Sequence, residues 1–309
     1  MSGSQPDQPE PARAPSSVLI LALMGFVSLI WGSTWLVIKL GLRDIAPFTG
    51  AAARFAIAGG CMAVLAWLFR ERESKKRPPW PAVVSQGLLQ FAFNYAVVYI
   101  GETVIPSGLV AVLWAVFPLC IALASHFLLR TELLRLGQWL GMGLAFCGVS
   151  ALFVTDIASV SSEMIPIGLL VLLAPVSVTV PTLLIKRTAH DANLFVLNRD
   201  SMWIGAVILG LLAVVFERDS ALQLTPLAIF CVLYLAIPGT VVTFGVYLWI
   251  LRHVPAYRAS LISFVTPALA LLMGALFGGE PLTAATLAGS SLVLSGVFLV
   301  LRRPTRSAA

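Results

Sequence analysis

Gln86, Gln90 and Asn94 recur at four-residue steps within Ala82–Ile100, a stretch without a charged residue. Residues three, four and seven apart share one face of an α-helix, so the three amides form a polar stripe on an apolar rod. An unpaired amide in an apolar medium costs roughly 2–7 kcal/mol. The stripe is therefore expected to line a water-filled cavity, with hydrogen bonding to a neighbouring helix as the alternative. Ser107, Ala111, Trp114 and Pro118 share one face of the next apolar stretch. Ala256, Ser260, Ser263 and Pro267 share an equivalent face much later in the chain. Both prolines remove backbone hydrogen bonds in mid-helix, and they are read as a matched pair of kinks that free carbonyls for a ligand.

Near the N-terminus Ser28, Gly32 and Trp35 share a face, with Trp31 beside it and Ser33 and Thr34 next in the chain. Trp31 reads as a cavity wall; Trp35 reads equally as wall or as interfacial belt. Thr179 and Thr182, with Pro175, occupy the corresponding place in the second half, and Thr240, Thr243 and Tyr247 share a later face. Indole and phenol rings offer a stacking surface with one polar handle, which suits a flat or amphipathic organic solute. Three charges stand apart from the rest. Arg54 lies about two turns into an apolar stretch and is expected to snorkel outward or to bond backbone carbonyls. Glu102 lies just past Ile100, where a solvated carboxylate that could titrate is expected. Arg199 and Asp200 are adjacent, about 100° apart on a helix, and so form a poor pair. Arg54, Glu102 and Asp200 are the candidate coupling or structural charges.

The usual catalytic constellations are missing. Gly141-Met142-Gly143 lacks the third glycine and the preceding strand of a dinucleotide site, and no Walker A, HExxH or GxSxG motif occurs. His126 has no paired nucleophile and reads as interfacial. The four cysteines, Cys61, Cys120, Cys147 and Cys231, have no metal-like spacing. No catalytic residue, metal or cofactor is expected.

The elements that hold these residues are membrane spans. Hydrophobic residues make up 59% of the chain and charged residues 11%, against about a quarter charged in a soluble domain. Eight stretches of 19 residues or more lack Asp, Glu, Lys and Arg altogether, and Phe48–Phe69 and Leu194–Phe216 are nearly as apolar. About 20 residues cross a bilayer, so ten spans are expected. The segment before the first span is Pro/Ser-rich and reads as a disordered tail, residues 1–17, rather than the flank of a signal peptide.

The order of segments runs through twice. Pro106-Ser107-Gly108, Pro118, Glu132, Gly141 and Gly148 are echoed by Pro255-Ala256-Tyr257, Pro267, Glu280, Gly289 and Gly296 at offsets of 149 and 148 residues. Each pass holds five spans. Five is odd, so the second copy must insert upside down, as in many secondary transporters. Basic residues agree. With the N-terminus in the cytoplasm, inside segments collect Arg13, the run Arg70–Arg77, Arg130, Arg135, Lys186, Arg187, Arg252, Arg258 and the tail arginines. Outside remain Lys39, Arg43 and Arg218, which is the positive-inside bias. The net charge of +6 is thus a topology signal and implies no nucleic acid.

Ile30-Trp31-Gly32-Ser33-Thr34, Pro47 with Arg54-Phe55, Pro106-Ser107-Gly108 with Pro118, Glu132, Pro267 and Gly279-Glu280 together resemble the EamA-type exporters of the drug/metabolite transporter superfamily. The resemblance covers residues 18–301. It implies export of small metabolites, often amino acids or related compounds, through a central cavity lined by spans one, three and four and by six, eight and nine. One departure is visible: Pro175-Val176-Ser177-Val178-Thr179 stands where symmetry would place a second Trp-Gly-Ser.

The expected molecule is an all-α polytopic membrane protein of ten transmembrane helices in two inverted five-helix repeats, 18–155 and 165–303. An external linker, 156–164, joins them, and a cytoplasmic tail, 304–309, follows. Its expected partners are a small-molecule substrate, the lipid bilayer, and protons or another coupling ion; it is expected in the inner or plasma membrane with both termini cytoplasmic. Its substrate-cavity candidates are Trp31, Ser33, Thr34, Gln86, Gln90, Asn94, Trp114, Pro118, Thr179, Thr182, Thr243, Tyr247, Ser260, Ser263 and Pro267. A facilitative channel and a lipid-modifying membrane enzyme are the alternatives.

Overall fold

A bilayer offers backbone amides no water, so a spanning chain must satisfy them within its own helix. The computed structural model describes residues 16–70, 74–124, 126–127, 132–133, 135–152, 164–189, 191–220, 222–253, 261–302 and 306–307. Among these, seven helices are long and apolar enough to cross a membrane and three shorter ones are apolar, matching the ten expected spans. The first half contains α1 (Ser17–Gly41), α2 (Pro47–Leu68) and α3 (Trp80–Val104). It continues with α4, in two pieces (Ser107–Trp114 and Phe117–Ala124), and α5 (Leu136–Leu152). The second half contains α6 (Met164–Thr188), α7 (Leu194–Phe216) and α8, which begins as Pro226–Ala236 and ends as Thr243–His253. Last come α9 (Leu261–Gly278) and α10 (Ala284–Arg302). The 22 residues of α2 span about 33 Å at 1.5 Å per residue, the thickness of a hydrocarbon core.

The side chains sort as a membrane requires. Phe55, Met62, Phe91, Leu113, Met202 and Leu209 are buried in one interior cluster. Trp67, Phe146, Leu211 and Phe216 are exposed on the outer faces of their helices, a surface that only lipid would cover well. Ser16, Asn193 and Thr225 cap α1, α7 and α8 by accepting from Leu19, Val196 and Ala228 amides. Two other helix starts borrow a cap from the opposite half. Glu217 accepts from the Phe48 and Thr49 amides of α2 at 2.6 and 2.8 Å. Glu280 accepts from the Ser107 and Gly108 amides of α4 at 2.6 and 3.1 Å.

Counterpart helices pair: α2 lies against α7 and α5 against α10, while α1 against α9 mirrors α4 against α6. Small residues set the α5–α10 distance. Gly141 and Ala145 pack against Gly296, and Gly148 packs against the Gly289 carbonyl. A side chain at Gly296 would meet the Gly141 carbonyl and, at 2.5 Å, the Ala145 nitrogen. Gly296→Val should therefore cost about 1–3 kcal/mol by overpacking. The check is a lower midpoint for loss of the monodisperse peak on heating in detergent; an unchanged midpoint would refute the contact.

The helix interruptions are not those the prolines announced. Pro118 and Pro267 do not form a matched pair of breaks. α4 breaks at Ala115 and Val116, and Pro118 then sits second in the following piece, where a missing N–H is tolerated. α9 runs unbroken through Pro267. The matched departures lie instead in α3 and α8, whose segments Gln86–Asn94 and Ile237–Val242 are π-helical and overlap under the repeat offset. Pro238 disrupts the ladder in α8. In α3 the Leu89 carbonyl accepts from Ser177 of α6.

A two-residue antiparallel ladder pairs Glu132–Leu133 with Arg306–Ser307. It sets the C-terminal tail at the same end of the bundle as the α4–α5 connection. The 156–163 link and Ser260 lie outside the described residues, as does the side chain of Ser263.

Candidate functional site

A cavity of about 260 Å³ lies between the two halves. The break in α4 turns Trp114, Ala115 and Phe117 toward it, and α8 contributes Phe244 and Tyr247. Its walls are chiefly aromatic. Trp31 of α1 packs against Phe244 and Tyr247 with ring centroids 5.9 and 5.4 Å apart. Trp35 tilts against Trp114 at 6.4 Å, and Trp114 stacks on Phe117 at 5.2 Å. Polar atoms are few and spaced around the wall: Gln90 and Asn94, the hydroxyls of Thr34, Thr182 and Thr266, and Arg54. Hydrogen bonds fix the rings. The Trp114 Nε1–H donates to Asn94 Oδ1 at 2.9 Å, and the Trp31 Nε1–H donates to Thr243 Oγ1 at 2.9 Å.

Arg54 is 2% exposed, so it does not snorkel. Its guanidinium carbon lies 4.6 Å from the Tyr95 ring centroid and 5.3 Å from that of Phe55. Nε donates to Thr240 Oγ1 of α8 at 3.1 Å, while one terminal nitrogen has no hydrogen-bond partner. Cation–π contact with two rings and one hydroxyl thus holds a full charge inside the protein.

Glu102 corrects a second expectation. It belongs to the last turn of α3 and is fully buried, because α1, α2 and α6 pack around that turn. It lies within electrostatic range of Lys39, Glu280 and Arg54. Lys39, however, donates to the backbone carbonyls of Glu102 and Ile105, and neither Glu102 carboxyl oxygen has a partner. Val98, one turn back on α3, lines the cavity, so Glu102 stands about 6 Å farther along the helix. Arg199 and Asp200 also differ from expectation: Nε reaches Oδ1 at 2.7 Å, since a long arginine bends across to its neighbour. That pair lies outside the cavity wall.

Of the expected cavity residues, Trp31, Thr34, Gln90, Asn94, Trp114, Thr182, Tyr247 and Pro267 line it. Gln86 does not. Its amide donates to Asn198 and accepts from Ser201 of α7, because a π-helical i→i+5 ladder turns less per residue and the four-residue step drifts off the face. Ser33 bonds Tyr234 and the Ile30 carbonyl, Thr179 bonds the Pro175 carbonyl, and Thr243 holds Trp31; all three stand behind the wall. Pro118 is displaced by the break before it. Tyr95, Phe117, Phe244 and Thr266 line the cavity but escape periodicity, since each lies at or near an interruption or on a face read as apolar. Among the described residues no group of three metal-ligating side chains occurs.

Residues 17–154 and 165–302 each match the EamA-like transporter family. The uncharacterized transporter YoaV of Bacillus subtilis is 25% identical over 91% of this chain and 97% of its own length. An uncharacterized transporter of Archaeoglobus fulgidus is 28% identical over 88% and 95%. The uncharacterized inner membrane transporter YedA of Escherichia coli K12 is 26% identical over 88% and 87%. One solved crystal structure superposes with a TM-score of 0.67 at 20% identity, covering 92% of this chain and 98% of that one; it bears on the fold alone.

Proposed function

We propose that this chain, which belongs to the EamA-like transporter family, is a secondary carrier that exports small amphipathic metabolites by alternating access. It is a multi-pass membrane transporter; what it moves, and in which direction, is our reading. The observation that carries it is the cavity between the halves, walled by rings from both repeats and holding few polar atoms. Such a wall stacks a flat apolar body while Gln90, Asn94 and Arg54 meet a polar or acidic head. Amino acids and related compounds have that shape. The positive-inside bias supports cytoplasmic termini, which makes the Glu280 end external. Rocking of the halves would then expose the cavity to each side in turn.

Counterflow in reconstituted vesicles tests this reading. Labelled tryptophan, leucine and a nucleoside serve as probes, each against an excess of the same unlabelled solute inside. A carrier shows trans-stimulated uptake of at least one, whereas a channel shows none. Asn94→Leu leaves the Trp114 N–H unpaired, a penalty of about 1–3 kcal/mol. It is expected to lower counterflow by roughly tenfold or more while membrane insertion is retained; undiminished counterflow would remove Asn94 from the site.

A further inference from the structure

We infer that Glu102 is a proton-binding site whose occupancy is linked to closure of the cavity at the Glu280 end. The proposal rests on the transport reading above and adds the coupling ion. A carboxyl group that is 0% exposed with neither oxygen bonded would carry its full desolvation penalty if ionised. Neither neighbouring cation hydrogen-bonds the carboxyl group. On α1, Lys39 donates to two carbonyls. On α2, Arg54 is bonded to Thr240 and stacked on rings. In the turn before α10, Glu280 is bound to the start of α4. The first piece of α4 carries no charged residue, and the charges of α6, Lys186 and Arg187, lie in its last turn at the opposite end. Ser107 also presents a buried hydroxyl without a partner, and the Tyr99 hydroxyl, one turn back on α3, faces the Arg54 guanidinium. Three unpartnered oxygens, two on Glu102 and one on Ser107, thus lie toward the closed end, where native proteins seldom leave even one.

The protonated acid fits this setting and the carboxylate does not. As the end closes, the carboxylate takes a proton from hydronium, leaving water and a neutral acid that can be buried. As the end opens, Glu102 meets solvent and returns the proton. Acid on that side therefore favours the closed form.

The sign separates Glu102 from Glu280. Protonating Glu280 would weaken its hold on α4 and open the same end, the opposite response. The test uses full-length protein in lipid nanodiscs, with Cys61, Cys120, Cys147 and Cys231 replaced by alanine. Ile105→Cys reports the closed end, since Ile105 is buried there; Thr103→Cys, at an exposed position, corrects for thiol chemistry. Maleimide labelling of Ile105→Cys relative to Thr103→Cys should rise at least tenfold from pH 5.5 to pH 8.5. Glu102→Gln should abolish that rise and hold labelling low throughout. A ratio independent of pH, a ratio that rises on acidification, or a pH response surviving in Glu102→Gln would each overturn the assignment. The first two outcomes need only the parent protein, so a poorly folding Glu102 variant does not blunt the test. Labelling needs no solute: failure here leaves counterflow standing, and failed counterflow leaves this titration standing.

Discussion

Glu280→Ala is expected to raise labelling of a cysteine at Ile105 by roughly a hundredfold at acid pH, because it releases the clasp between the halves. The carboxylate accepts two amide protons at the start of α4. Hydrogen bonds to a charged group contribute about 1.5–3 kcal/mol each, and the helix N-terminus adds a favourable dipole. Losing roughly 3 kcal/mol shifts a two-state equilibrium by about two orders of magnitude. Glu280→Gln keeps an acceptor oxygen without the charge and should give a smaller rise. The space argues the same way, since a side chain at Gly274 would collide with the Glu280 carboxylate. Unchanged labelling in Glu280→Ala would show that these bonds do not hold the end closed.

Arg54→Gln is expected to reduce transport more than any single change in the ring wall. The guanidinium stacks on Tyr95 and bonds Thr240, so it joins α2 to α3 and α8 across the two halves. A desolvated cation–π contact contributes about 2 kcal/mol and the charged hydrogen bond about 1.5–3 kcal/mol. Together they predict a fall in apparent melting temperature along with a loss of counterflow of roughly a hundredfold. Arg54→Lys keeps the charge but not the planar stack, and should restore counterflow only in part. Full activity in Arg54→Gln would exclude Arg54 from both roles.

The caps explain why neither clasp was legible beforehand. Glu280 marks the sequence repeat, whereas Glu217 follows an apolar stretch with no periodic signal of its own. Their role depends on which helix start lies opposite, 173 and 169 residues away in the chain. Sequence periodicity reports one helix at a time, so a bond between halves leaves no periodic trace. Glu102 shows the same limit. Its position just past an apolar run suggested water, yet α1, α2 and α6 close over it.

Segment hydropathy, by contrast, depends only on local composition, and the bilayer sets the length that matters. The ten apolar segments were therefore plain in the residue string, as was the duplication, because related spans keep their prolines and glycines at one offset. Aromatic candidates were legible where helix geometry stayed regular, as with Trp31 and Tyr247. Gln86 left the face because α3 changes its winding, and the kink expected at Pro267 is absent because its helix stays packed against α1.

Taken alone, the amino-acid string determined an all-helical membrane protein of two like halves, since burying apolar surface and satisfying backbone amides in lipid are local demands. Only the tertiary structure decided which polar atoms stay unpaired between those halves. Burial and hydrogen-bond partnership depend on what the opposite half brings near, and that is how Arg54 became cavity wall and Glu102 a carboxyl group shut away from water.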